Sequence, residues 1–223
     1  MHQFQPDLSI LPEPQLALWG LLRCIPKHFV LYGGTALALR LGHRASIDYD
    51  FFSASSFEPL KLFRSLASLE NKKAVQVEED TLTCIVETGT GPCQVSFFGG
   101  LTLRQVNIPD VSNDNNIAVA SLQDVFGMKC ATVPTRSESK DYLDIHALLT
   151  MSGLELAEGI AAAKAIYGNQ YNPLQTLQAL CYFDDLPEPL PEAERADLSA
   201  AVNEVNLDRL PEVAAHYQIA EGV

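Results

Sequence analysis

Residues 33–52 read GGTALALRLGHRASIDYDFF, and the order of residue types in them sets the expected fold. A short β-type run, residues 28–32, precedes them and is stopped by Gly33 and Gly34. Residues 35–41 carry an apolar stripe and end at Gly42, which predicts a helix. Residues 47–52 alternate acidic with aromatic or apolar side chains, the period of a strand. Strand, Gly-Gly-Thr, helix, strand is an order with a chemical use. Glycines let main-chain N–H groups approach an anion with no Cβ in the way. A helix start offers unsatisfied N–H donors and the positive end of the helix dipole, and Thr35 can add a hydroxyl. Asp48 and Asp50, at i and i+2 on a strand, point to one face with Cα atoms about 7 Å apart. Two hard carboxylates so placed suit a Mg2+ that bridges to triphosphate oxygens, while Tyr49 and Phe51 turn to the core. Either motif alone is commonly an ordinary turn or a solvated strand end. Their combination predicts a site for a nucleoside triphosphate and its divalent metal.

Outward from this centre, prolines at 6, 12 and 14 predict an irregular N-terminal arm, and residues 14–25 a helix ended by Pro26. Pro59 opens a helix to about residue 69. Strand-like runs follow at 74–78, 81–87 and 94–98, with Gly89, Gly91 and Pro92 turning the chain between the last two. A loop of Asn113, Asp114, Asn115 and Asn116 precedes a short run at 117–120. The character then changes to helices. One starts at Ser121 or Asp124, runs to 132 and is broken by Pro134. A second, capped by Ser137 or Ser139, runs to 149. Others are expected at 155–167, 173–183 and 192–205, with a last short piece near 211–217. Residues 187–191 are the expected internal joint. The fold class is therefore α+β: a small mixed β-sheet core flanked by helices over residues 1–120, followed by a mostly helical region, 121–223.

The composition narrows the function. Hydrophobic residues make up 47% and charged residues 19% of the 223, a soluble globular balance. The net charge of −13 argues against broad nucleic-acid binding, which calls for a basic face. It leaves room for a local basic patch around one nucleotide or one RNA end. No apolar run has the length of a membrane span, and residues 1–7 show no signal-peptide pattern. Cys24, Cys84, Cys93, Cys130 and Cys181 are odd in number and widely spaced, which speaks against a disulfide framework or a zinc site. A cytoplasmic setting with core thiols is expected.

A second polar cluster comprises Asp124, Lys129, Arg136, Lys140, Asp141 and Asp144. Its plain structural reading makes Lys140 and Asp144, at i and i+4, a surface ion pair, and Asp124 an acid at a helix start. Its functional reading puts Lys129 over the triphosphate. Arg136 or Lys140 then meets leaving-group phosphate or acceptor, and Asp144 orients them or acts as base. Asp141 is the weaker candidate. Arg44, between the helix and the Asp48 strand, contacts phosphate or pairs with a nearby acid. His43 and His146 are expected in surface or packing roles.

At these residues the sequence resembles the nucleotidyltransferase toxins of the AbiEii/AbiGii type, within the DNA polymerase β-like nucleotidyltransferase superfamily. Residues 33–52 are similar to that family's first signature. DVFGMKCATVPTRSESKDYLDIHAL, residues 124–148, is similar to its second, and the likeness covers about residues 28–150. The resemblance implies a nucleotidyltransferase core that binds a nucleoside triphosphate (NTP) with Mg2+ or Mn2+ at Gly33, Gly34, Thr35, Asp48 and Asp50. Arg44, Lys129, Arg136 and Lys140 become further nucleotide contacts, and Asp48, Asp50, Lys129 and Asp144 the catalytic set. It also implies transfer of a nucleotidyl group to an RNA or protein acceptor and, as for some relatives, pairing with an antitoxin protein. The superfamily's third carboxylate, a metal ligand and candidate base, falls at Ser96 in CQVSFFGG, residues 93–100. A neutral hydroxyl is a poor metal ligand and a poor base. Glu87 or Asp144 is left as its alternative source. Two further functions stay open: a catalytically degenerate nucleotide-binding or protein-interaction module of the same fold, which Ser96 favours, and a kinase-like phosphotransferase on the same scaffold.

Overall fold

The computed structural model describes residues 2–215 and 217–220. The chain divides into two compact units, one of Met1–Leu103, Ile108–Ser121 and Tyr217–Val223, the other of Arg104–Asn107 and Leu122–His216. Among the described residues, no helix is long and apolar enough to cross a membrane.

In chain order the first unit holds β1 (Gln3–Phe4), α1 (Glu13–Trp19), β2 (Val30–Tyr32), α2 (Gly33–Leu41), β3 (Asp48–Phe52), α3 (Pro59–Ser65), β4 (Lys72–Glu78), β5 (Thr81–Thr88) and β6 (Gly91–Phe98). The two-residue β7 (Arg104–Gln105) belongs to the second unit, and β8 (Asp110–Ser112) and β9 (Ala118–Val119) return to the first. Eight of these strands form one mixed sheet in the order β1-β8-β9-β2-β3-β6-β5-β4. The pairs β3/β6, β2/β9 and β1/β8 are parallel; β2/β3, β5/β6, β4/β5 and β8/β9 are antiparallel. This is the expected α+β class. Alternation explains the layering: Tyr49 and Phe51 of β3, Val95 and Phe97 of β6, and Leu82 and Cys84 of β5 are all buried. They share one face, because Phe51 pairs with Phe97 and Phe97 with Leu82. Phe51 and Phe97 stack with centroids 5.5 Å apart, and Phe29 closes edge-on against Phe97. Asp48, Asp50 and Ser96 fall on the opposite face.

Several boundaries differ from expectation. The helix expected over 14–25 stops at Gly20, and a one-turn 3-10 segment, Leu22–Cys24, follows. α3 ends at Ser65 because Leu66 leaves helical geometry, with ψ at 48°, and both Leu66 and Leu69 then reach the core. The N-terminal arm is not irregular throughout. Its first residues form β1 against β8, and the Asp7 N–H donates to Leu39 O at 2.8 Å.

The second unit contains α4 (Leu122–Thr132), α5 (Ser139–Met151), α6 (Leu156–Tyr167), α7 (Pro173–Ala179) and α8 (Glu192–Glu204). α4 and α6 touch backbone to backbone. A Cβ added at Gly127 would lie 2.9 Å from the main chain of Ala162, and one at Gly159 2.6 Å from the Phe126 ring. α6 opens with a reciprocal capping box between Glu155 and Glu158. α5 is flanked by Glu138 and has no side-chain cap, so neither Ser137 nor Ser139 performs the expected capping; the Ser139 hydroxyl donates instead to Glu188 O at 2.5 Å. That bond, with buried Leu190, ties the expected joint at 187–191 into the helical unit. Residues 210–215 carry no regular structure, and Tyr217–Gln218 is β10. The short helix expected near 211–217 is thus absent among the described residues, and His216 lies outside them.

Candidate active site

The turn from β2 into α2 is built on Gly33, whose φ of +73° is the left-handed region that glycine occupies without strain. The residue flanking the helix, Tyr32, offers no side-chain cap, and the first turn contains no acid. The positive end of α2 is therefore not countered by its own sequence. Opposite it stands Asp50, paired in register with Tyr32 on β2 and with Ser96 on β6. A Cβ at Gly33 would come within 3.3 Å of Asp50 Oδ2, so the missing side chain is the space that lets carboxylate and helix start face each other. Asp48 lies one residue pair away on the same face. Both aspartates are half-buried, between buried Tyr49 and Phe51.

Thr35 is 2% exposed. Its hydroxyl donates to the Asp48 carbonyl, and the Ser46 hydroxyl, 2.6 Å away, donates to it. Thr35 therefore joins the first turn of α2 to the strand bearing the aspartates. Gly34, half-buried, completes the helix start. Arg44 stands on the loop between α2 and β3, where its Nη1 donates to Ala45 O at 3.0 Å. Ser46 is a site residue that the sequence did not single out. So is Gln15, whose Nε2 donates to Ile47 O at 2.5 Å. The signal for Gln15 was present: it lies three and four residues before Leu18 and Trp19, on the apolar face of α1.

Ser96 sits directly beside Asp50 and is 2% exposed. Thr83 Oγ1 and Gln94 Nε2 donate to its hydroxyl, each at 3.4 Å. Glu87 shares that face, but it pairs with Pro92, on a strand separated from β3 by β6. Two strand spacings place it roughly 10 Å away even before the offset along the strand. Glu87 therefore cannot join Asp50 on one metal ion. Among the described residues, no three His, Cys, Asp or Glu side chains gather in a metal-binding arrangement.

Of the second cluster, Lys129, Arg136, Asp141 and Asp144 come together inside the helical unit, whereas Asp124 and Lys140 bind elsewhere. Lys129 Nζ is 2.6 Å from both Asp141 Oδ1 and Asp144 Oδ2, and the two carboxylates are fully enclosed. Arg136 forks the same Asp141, at 2.7 and 3.1 Å, with its side chain 46% exposed. Burial pushes the Asp141 carboxyl up, yet the Arg136 hydrogen bonds and Lys129 outweigh it and hold it below the ordinary carboxylate range. The i, i+4 surface pair expected between Lys140 and Asp144 does not form. Lys140 faces solvent and pairs with Glu138 at 2.8 Å, because Asp144 turns inward to Lys129. Asp124 does sit in the first turn of α4, where it accepts from the Val106 and Asn107 N–H groups at 2.6 and 3.0 Å. His146 binds Asp197 across α5 and α8 at 3.0 Å, the packing role expected of it.

A mixed sheet that sets a Gly-Gly-Thr helix start against an Asp-x-Asp strand is the nucleotidyltransferase fold, and solved structures share it. One, from H. pylori and described as a candidate nucleotidyltransferase, matches with a TM-score of 0.56 at 18% identity, over 86% of this chain and 94% of that one. Another, MenT4, the nucleotidyltransferase toxin Rv2826c of Mycobacterium tuberculosis H37Rv, matches with a TM-score of 0.55 at 14% identity, over 86% and 82%. The sequence profile of the family "Nucleotidyl transferase AbiEii toxin, Type IV TA system" matches residues 25–218. The chain belongs to this AbiEii family. A relative by sequence, the uncharacterized protein aq_aa25 of Aquifex aeolicus (strain VF5), is 30% identical over 170 residues, which cover 75% of this chain and 80% of that protein.

Proposed function

We propose that this protein transfers a nucleotidyl group from a nucleoside triphosphate to an RNA or protein acceptor, and that it acts as the toxin of a toxin–antitoxin pair. The observation that carries the chemistry is Asp50 Oδ2 standing against Gly33 at the positive start of α2. A carboxylate and a helix start so close are complementary to a metal-bound triphosphate, since the carboxylate takes the cation and the N–H groups take phosphate oxygens. The toxin role rests on the family, whose description names a type IV toxin–antitoxin system.

Asp48 and Asp50 are the residues that would hold Mg2+ or Mn2+. When bound, such an ion would neutralise triphosphate charge beside the two carboxylates. The start of α2, at Gly33 and Gly34, binds phosphate through the main chain. Thr35 fixes that turn to the Asp48 strand, and Arg44 supplies a nearby cation. Within the helical unit, Lys129 and Asp144 hold the polar cluster together; half-exposed Arg136 at its edge and solvent-facing Lys140 outside it are the cations that would exchange their present acidic partners for phosphate or acceptor. In the transfer, a nucleophile of the acceptor bonds to the α-phosphorus. The α–β bridging bond breaks, pyrophosphate leaves, and the acceptor's proton passes to solvent or a base.

The test is incubation with each α-labelled NTP, Mg2+ and cellular RNA or protein. Wild type is expected to transfer label and release pyrophosphate. Asp48→Asn and Asp50→Asn should each lose roughly a hundredfold or more in rate. Undiminished transfer by Asp50→Asn would sink the assignment, and release of nucleoside diphosphate would move it to a kinase-like transfer. One observation favours a second function, a nucleotide-binding module without turnover: Ser96, a neutral group, lies beside Asp50 where a third carboxylate would complete the site. Calorimetry with ATP, GTP, CTP and UTP separates the two, because binding with no product on any acceptor selects the module.

A further inference from the structure

Four successive residues, 46–49, that lead into and open β3 are each held by a hydrogen bond that involves a side chain. The Ser46 hydroxyl donates to Thr35 Oγ1, and Thr35 donates in turn to Asp48 O. Gln15 Nε2 donates to Ile47 O at 2.5 Å, and Tyr49 Oη donates to Gln15 O at 3.0 Å. Thr35 comes from α2 and Gln15 from α1, so the aspartate strand is gripped by two helices. Ladder hydrogen bonds to β2 and β6 already fix the strand's register. These extra bonds fix something finer, the height and twist of the main chain that carries the Asp48 side chain.

The Gln15 side chain does this at a cost. Gln15 is 4% exposed, and its Oε1 has no hydrogen-bond partner. A buried carbonyl left unpaired is destabilising. Methionine, of similar length and without polar atoms, would avoid that penalty and pack against the same neighbours. Packing alone would therefore be served by an apolar side chain, and what the amide adds is its bond to Ile47 O.

From this geometry we infer that Gln15 and Thr35 are positioning residues, which clamp residues 46–49 so that Asp48 and Asp50 meet a divalent metal and triphosphate in one fixed arrangement. The inference rests on the nucleotide–metal site proposed above and deepens it. In this role each acts through the main chain of residues 46–49, Gln15 at Ile47 O and Thr35 at Asp48 O. Their loss should change how the aspartates bind metal more than it changes whether the protein folds.

The probe is Mn2+ with each of the four nucleoside triphosphates, read by the loss of the free Mn2+ electron paramagnetic resonance signal, with thermal midpoints measured on the same samples. Wild type is expected to bind the metal–nucleotide pair and Asp50→Asn to lose it. Gln15→Met should match or exceed the wild-type midpoint and bind Mn2+–nucleotide roughly tenfold more weakly, as expected for ligands displaced by a fraction of an ångström. Thr35→Val should weaken binding likewise, and Thr35→Ser, which restores the hydroxyl, should recover it. Gln15→Asn, too short to reach Ile47 O, should resemble Gln15→Met. Wild-type affinity in Gln15→Met, Gln15→Asn and Thr35→Val overturns the clamp and leaves the site standing. Weakened binding that only follows a fall in thermal midpoint, with no recovery in Thr35→Ser, assigns these residues to the fold alone and also overturns it. Absence of wild-type binding with any nucleotide overturns the site and the clamp together.

Discussion

A single missing side chain lets the Asp50 carboxylate face the start of α2. Gly33 combines a φ of +73° with a Cβ position 3.3 Å from Asp50 Oδ2. Gly33→Ala should therefore act twice. The left-handed backbone costs about 1–2 kcal/mol with a Cβ, and the methyl crowds the carboxylate. The expected outcome is a folded protein, slightly less stable in denaturant melts, with metal–nucleotide affinity reduced roughly tenfold. Ser96 makes the opposite case. Its two hydrogen bonds are long, and its hydroxyl is a weak ligand, so Ser96→Ala should keep transfer within about threefold of wild type. A collapse of activity in Ser96→Ala would show that the hydroxyl does take part. Gly33, Asp48 and Asp50 were legible in the sequence because spacing alone places them on a turn or on one strand face, whereas Ser96 stood out only through the family resemblance, which expects a carboxylate there. Gln15 and Ser46 were not singled out, because their partners, Ile47 O and the Thr35 hydroxyl, are defined only when α1 and α2 lie against β3.

Elements were legible where their patterns were long. β3 to β6 and α4 to α6 follow period-2 or helical patterning, and all were expected within a few residues. β1, β7, β8 and β10 are two or three residues long, too short for any period to show, and exist because a neighbouring segment offers main-chain groups to pair. The i, i+4 rule suggested a Lys140–Asp144 pair, but it describes neighbours on one helix and is blind to Lys129, which arrives from α4. That buried cluster makes a sharp prediction. Lys129→Met leaves Asp141 and Asp144 enclosed without their shared cation, and should cost about 3–5 kcal/mol in urea unfolding. Because the folded pKa of Asp141 is depressed, its contribution is present above its unfolded pKa of about 3.9 and is lost as pH falls through the folded value. Acid unfolding should therefore begin only below roughly pH 4, and Arg136→Gln should move its onset upward. Where α4 crosses α6, Gly127→Val forces the two main chains apart and should cost several kcal/mol, while Gly159→Ala, which presses on the buried Phe126 ring and not on main chain, should cost about 1–3 kcal/mol.

The whole molecule carries a net charge of −13, and that fixes how it can meet a polyanion. A protein that holds RNA by its backbone gathers phosphate contacts on a basic face, so its affinity falls steeply with salt. Here the long-range field repels RNA at low ionic strength, where the Debye length is about 30 Å at 0.01 M, and salt screens that repulsion. Filter binding to mixed cellular RNA should therefore show no retention at micromolar protein in 50 mM NaCl. If the acceptor is RNA, its KM should stay level or fall between 20 and 200 mM NaCl, the reverse of the usual salt dependence. Recognition must then come from a few short-range contacts to one end or loop of the acceptor, which screening leaves largely intact. A KM that rose tenfold or more over that range would place several phosphates on a local basic patch, despite the acidity of the chain.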